Sequence, residues 1–89
     1  MRVSYNKNFT KKFNNLQKNN KIAARVAIAT FKNDLETGVS TPYLRRHDLD
    51  GEWIGYSSIS AGGDLRLHYK QKGNDIVFVE VGSHSQLYG

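Results

Sequence analysis

The hydrophobic period of this chain changes once, close to its only proline, Pro42, and that change dictates most of what the chain can fold into. Before Pro42 the apolar residues recur at helical spacing. Phe9, Phe13 and Leu16 fall at i, i+4 and i+7, which predicts a helix with one narrow apolar stripe. Lys11, Lys12 and Lys18 lie on its polar side, and Asn6 or Asn8 suits its start. Asn19-Asn20 interrupts the pattern and predicts a tight turn. A second helix then runs from about Lys21 to Thr37. Ala24, Ala27, Ile28, Phe31 and Leu35 line one face, with Ile22 and Val26 beside them, and Gly38 supplies the positive φ of a helix end. These stripes are core and carry no chemistry.

Val39 to Asp50 reads as a loop. Beyond it the period is 2. Trp53 to Ser60 is a strand, Ala61-Gly62-Gly63 a turn, and Asp64 to Gln71 alternates cleanly. Leu65, Leu67 and Tyr69 face one way, while Arg66, His68 and Lys70 face the other. Lys72 to Asp75 makes the next turn, and Ile76 to Val81 the last strand. With Arg2 to Tyr5 as a short first strand, the class is α+β: one domain over residues 1–89, an N-terminal helical hairpin packed on a four-stranded, mainly antiparallel sheet. The uncovered face of that sheet is expected to be basic and half shielded. Trp53 serves as a core or edge anchor where its strand begins.

Thirteen Lys and Arg against eight Asp and Glu give a formal charge of +5. Such a field draws a small protein to polyanions, RNA or DNA above all, or to an acidic protein. There is no cysteine, so disulfides and thiolate metal sites are excluded, and a reducing cytoplasm is the default compartment. No apolar run approaches the length of a membrane span, and no hydrophobic signal core opens the chain.

The last eight residues, Gly82-Ser83-His84-Ser85-Gln86-Leu87-Tyr88-Gly89, place a histidine four positions before a tyrosine. Histidine is suited to general acid or base work at neutral pH. A second histidine, His47, leads the segment His47-Asp48-Leu49-Asp50-Gly51-Glu52-Trp53, and Asp64 stands between the two. A ribonuclease that works without metal needs a group to take the 2′-hydroxyl proton and one to protonate the leaving 5′-oxygen. It also needs cations on the phosphate. His47, His84, Asp64 and Tyr88 are candidates for the proton transfers, and Arg66, Lys70, Arg45 and Arg46 for the phosphate. Taken singly, each also fits an ordinary surface position. No zinc-protease, calcium-loop, phosphate-loop or nucleophile-elbow pattern occurs, so neither metal nor cofactor is expected.

Three blocks carry a resemblance that spans nearly the whole chain. They are His47-x-Leu49-x-Gly51-x-Trp53-x-Gly55-Tyr56, Asp64 followed by Leu67-x-Tyr69, and Gly82-Ser83-His84-x-x-Leu87-Tyr88-Gly89. In this order, behind a helical hairpin, the chain resembles the YafQ branch of the RelE/ParE superfamily, toxins of bacterial type II toxin–antitoxin modules. The resemblance implies a RelE-like fold and a ribosome-dependent, metal-independent endoribonuclease. Such an enzyme cuts messenger RNA in the ribosomal A site by attack of the neighbouring 2′-OH. It implies active-site positions at His47, Asp64, His84 and Tyr88. His84 would be the general acid, His47 or Asp64 would assist, and Tyr88 would hold base or phosphate. Two departures stand out. A second family histidine falls on Ser60, whose hydroxyl is far too weak a base to replace it, and a large aromatic falls on Leu65. His68 projects from mid-strand and does not match that missing histidine.

The resemblance also implies partners: a cognate antitoxin of DinJ/RelB-like type, the ribosome and messenger RNA. The chain is expected to be a monomer alone and heteromeric with its antitoxin, with an acidic or helical antitoxin segment neutralising the basic face. Two other readings stay open. One is a gyrase-inhibitor-like toxin acting by binding, and the other is a member that has lost catalysis and persists as a binding protein.

Overall fold

The computed structural model describes residues 1–88. Gly89, which closes the C-terminal motif, lies outside the described residues. The elements in order are β1 (Arg2–Tyr5), α1 (Lys7–Asn14), α2 (Lys18–Thr37), β2 (His47–Asp48), β3 (Ser57–Ser60), β4 (Leu65–Lys72), β5 (Asp75–Ser83) and α3 (His84–Tyr88). Single 3-10 turns occupy Pro42–Leu44 and Gly51–Trp53. The sheet order is β1-β5-β4-β3-β2, with β1 parallel to β5 and every other pair antiparallel.

The class is α+β with the helical hairpin against the sheet, but the sheet has five strands, not four. The additional strand, β2, is two residues long and lies in the segment read as loop. Strands this short leave no alternation to detect, and β2 exists only because it pairs with β3.

Asn6 caps α1 as its type suggests, its side chain accepting from the Phe9 N–H at 2.8 Å. The first helix is shorter than its stripe. It ends at Asn14, and Leu16 packs on the core from the connecting turn. Asn19-Asn20, taken as the break, sits in the first turn of α2, where backbone N–H groups have no helical partner and asparagine costs little.

The core joins Phe9 of α1 and Ala24, Ala27, Ile28 and Phe31 of α2 to Leu65, Leu67 and Tyr69 of β4 and Ile76, Phe78 and Val81 of β5. Phe31 meets Phe78 edge-on at 5.8 Å and Tyr69 at 4.8 Å. No described helix is long and apolar enough to cross a membrane.

The strand expected over Trp53–Ser60 begins only at Ser57. Trp53 is in a 3-10 turn, and Gly55 turns the chain at φ 91°, a conformation open to glycine at little cost. β5 carries one extra residue, Val79, opposite the step from His68 to Tyr69. The Asn8 amide caps this bulge, donating to the Val79 carbonyl at 2.7 Å, while Lys12 pairs with Glu80 at 2.7 Å.

Asp34 is buried near the end of α2, where a carboxylate opposes the helix dipole. Thr41 satisfies it by donating its backbone N–H and its hydroxyl, each at 2.7 Å. These bonds hold the Asp34 carboxyl below the usual aspartate range and tie α2 to the segment that leads into β2. Asp34→Ala is expected to lower the thermal midpoint by several degrees, and Asp34→Asn by less, because the amide oxygen still accepts from Thr41. Thermal unfolding followed by circular dichroism checks the order.

Candidate active site

A cleft of about 400 Å³ opens on the sheet face opposite the helices. Three parts of the chain wall it: the β2 arm with Arg45, His47, Asp48, Leu49 and Asp50, the ends of β3 and β4 with Ser60 and Arg66, and α3 with His84 and Tyr88.

The β2 arm owes its shape to Arg45, which ends a 3-10 turn in the left-handed region at φ 50°. A side-chain-bearing residue there carries strain on the order of 1–2 kcal/mol. The bend brings the Arg45 carbonyl to His47 Nδ1 at 2.7 Å. A carbonyl only accepts, so Nδ1 carries the proton, and in the neutral ring the lone pair is on Nε2. His47 is thereby fixed in the tautomer a general base requires. Asp48 is occupied by the Ser57 hydroxyl at 2.7 Å.

Arg66 stands across from Ser60 in the β3–β4 pairing. Its Nη1 donates to Ser60 Oγ at 3.3 Å and to the carbonyls of Gly63 and Leu65 at 2.9 and 3.0 Å. One corner of the guanidinium is thus anchored at the cleft wall. Ser60, where a family histidine is expected, has a definite task of its own: it is buried and braces Arg66.

α3 is entered through a reciprocal cap. Ser83 Oγ accepts from the Gln86 N–H at 3.1 Å, and Gln86 Oε1 accepts from the Ser83 N–H at 2.9 Å. The pattern Ser83-x-x-Gln86 was the available sequence signal for this helix. The His84 N–H donates to the Asp64 carbonyl at 2.9 Å, and Trp53 Nε1 donates to the Leu87 carbonyl at 3.2 Å. The rings of His84 and Tyr88 lie 4.4 Å apart.

His47, His84, Tyr88, Arg45 and Arg66 therefore share one cleft, and the remaining candidates do not. Asp64 meets the site through its backbone carbonyl and borders a separate hollow with Leu16, Asn20 and Gln86. Arg46 lies over the Phe31 ring at 5.9 Å and Lys70 over the Tyr56 ring at 5.4 Å, each as a cation–π contact outside the cleft. Leu65 is a buried core residue.

His68 corrects the expectation of a basic, half-shielded outer face. It has no exposed surface. Trp53 covers it edge-on at 4.5 Å, and its Nε2 lies 2.9 Å from the Tyr88 hydroxyl. The alternation of β4 gave its direction correctly; the lid of Trp53 and Tyr88 comes from distant parts of the chain. Burial pulls the His68 pKa down to about 4, with Glu80 opposing the shift. Among the described residues, no group of three or more His, Cys, Asp or Glu side chains is placed to hold a metal.

Two outcomes follow from these contacts. The unfolded chain takes up the His68 proton first as pH falls, so its share of stability is complete above about pH 6.5 and is lost toward about pH 4. The loss is on the order of 2–3 kcal/mol. Urea midpoints at the two ends of this window are expected to converge in His68→Leu. Ser60→Ala is expected to loosen Arg66 and weaken binding of inorganic phosphate in the cleft roughly threefold, measurable by phosphorus NMR titration, with little change in melting temperature.

The whole chain, residues 1–89, matches a family model described as the bacterial toxin of type II toxin–antitoxin system, YafQ. No curated protein sequence matches it. Among solved structures, YafQ from Escherichia coli strain BL21(DE3) superposes with a TM-score of 0.82 at 23% identity, covering 100% of both chains. The E. coli DinJ–YafQ complex gives 0.68 at 22% identity, again over 100% of both chains. A YoeB/ParE toxin from Agrobacterium tumefaciens gives 0.70 at 15% identity over 94% of this chain and 99% of that one. These likenesses show a shared fold, and the full-length match shows the family: the chain belongs to the YafQ toxins of type II toxin–antitoxin systems.

Proposed function

We propose that this toxin is a ribosome-dependent endoribonuclease that cuts messenger RNA in the A site. The observation that carries this reading is the single cleft holding a tautomer-fixed His47, an exposed His84 and a braced Arg66. His47 Nε2 takes the proton from the ribose 2′-OH, and the 2′-oxygen attacks phosphorus. The bond from phosphorus to the 5′-oxygen breaks as His84, entering protonated, gives that oxygen a proton. Arg45 and Arg66 meet the charge that builds on the phosphoryl oxygens, and the Tyr88 ring packs against base or ribose. The products are a 2′,3′-cyclic phosphate and a 5′-hydroxyl. Solvent exchange returns both imidazoles to their starting protonation.

Of the two groups considered for the base, the geometry favours His47, since Asp64 borders another hollow. Dependence on the ribosome has a basis in charge. Within the cleft, Asp48 and Asp50 offset Arg45 and Arg66, whereas seven cationic side chains lie on α1 and α2. The strong field is thus on the helical face, which suits docking on ribosomal RNA that presents the message to a weakly attractive cleft. A cognate DinJ-like antitoxin restrains the toxin, as the solved DinJ–YafQ pairs indicate for their own chains. The site of action is then the cytoplasm.

Cell-free translation with primer extension tests the reading. Wild-type protein is expected to cut only translated message. His84→Ala and His47→Ala are each expected to lower cleavage about 10²- to 10⁴-fold with the fold intact. Absence of cuts from folded, antitoxin-binding wild-type protein would instead mark a toxin that acts by binding.

A further inference from the structure

His68 takes no part in the chemistry proposed above, yet it is an expensive residue to bury. An imidazole brings two polar nitrogens, each of which needs a partner away from water, whereas leucine would fill a strand position without that cost. Nδ1 has no partner among the described residues. Nε2 is committed to the Tyr88 hydroxyl at 2.9 Å. The ring is fixed between the edge-on Trp53 at 4.5 Å and Tyr88 at 5.3 Å. The other side of the contact leads out of the core, because the Tyr88 ring stands 4.4 Å from that of His84. A line of three side chains therefore runs from the middle of β4 to the cleft.

α3 needs such a hold. Its five residues are too few for a helix that stands alone. The Ser83–Gln86 cap and the Trp53 bond to the Leu87 carbonyl fix its backbone. The His68 bond is the hydrogen bond that grips the side chain packed on His84.

We propose that His68 is a positioning residue for the cleavage reaction: it holds the Tyr88 hydroxyl from beneath, and the fixed Tyr88 ring sets the His84 imidazole against the cleft. This inference rests on the nuclease reading. His68 touches neither substrate nor reacting atoms, and its buried ring stays neutral near pH 7, so the hold does not vary there.

The test combines single-turnover cleavage on programmed ribosomes with imidazole NMR of His84 in the free protein. It compares wild type, His68→Leu, Tyr88→Phe, their double variant and His68→Gln. His68→Leu and Tyr88→Phe are each expected to slow the cleavage step roughly tenfold without changing ribosome affinity. The double variant is expected to be no slower than either single one, and the glutamine amide, reaching the position of Nε2, to restore most of the rate. The His84 resonances are expected to shift alike in His68→Leu and Tyr88→Phe. Wild-type cleavage by folded His68→Leu, additive losses in the double variant, or unmoved His84 resonances would each overturn the proposal. Tyr88→Phe removes only a hydroxyl from a partly exposed helix. If His68→Leu does not fold, Tyr88→Phe decides: slower cleavage with shifted His84 resonances supports the proposal, and wild-type cleavage with unmoved resonances overturns it. Should wild-type protein make no cut, the nuclease reading fails separately, and the NMR comparison still decides whether His68 sets His84.

Discussion

The alternation along β4 fixes both the stability and the site of this toxin. Leu65, Leu67 and Tyr69 are buried beneath the helices, so Arg66 and His68 must point to the opposite face, toward the cleft and its supports. A register slip of one residue would send a guanidinium and an imidazole under α2 and three apolar side chains to the cleft. The penalty is prohibitive, and the neighbours inherit the result. Ser60 arrives opposite Arg66, and Ser58 opposite His68. The Val79 bulge accommodates the crowded His68–Tyr69 step on the far side. Substitutions at Arg66 and His68 therefore bear on packing as well as on the cleft.

Charge is divided between two surfaces with different tasks. The helical hairpin holds most of the cationic excess, far from the carboxylates of the cleft. The cleft has near-balanced charges, Arg45 and Arg66 against Asp48 and Asp50. On the proposed nuclease reading, this division favours docking on a large anionic assembly over capture of loose RNA.

The parts of the fold that were legible in sequence are those with long periodic patterns: the two helices, the strands around Leu65–Lys72 and Asp75–Ser83, and the capping role of Asn6. Illegible were features made by pairing or by distant contact. β2 is too short to show a period, and α3 is announced only by Ser83 and Gln86. The direction of His68 was legible from alternation, but its burial was not, because Trp53 and Tyr88 reach it from 15 and 20 positions away. Within the cleft, His47, His84, Tyr88, Arg45 and Arg66 were legible through the resemblance and their chemistry. That Arg46 and Lys70 rest on aromatic rings instead depends on the path of the loop and on Tyr56, which no local pattern reveals. Ser60 read as a loss; its cross-strand partner turns it into the brace of Arg66.

The central claim is that two imidazoles in one cleft move protons around an attack by the ribose 2′-OH. The chemistry of the cut ends tests this most directly. Message fragments isolated from ribosomes exposed to the toxin would be examined by mass spectrometry on both sides of the break. A 2′,3′-cyclic phosphate on the upstream fragment and a 5′-hydroxyl on the downstream one is the result this mechanism requires. A 3′-hydroxyl with a 5′-phosphate would mean that water, and not the 2′-oxygen, attacked phosphorus, and would contradict the roles given to His47 and His84.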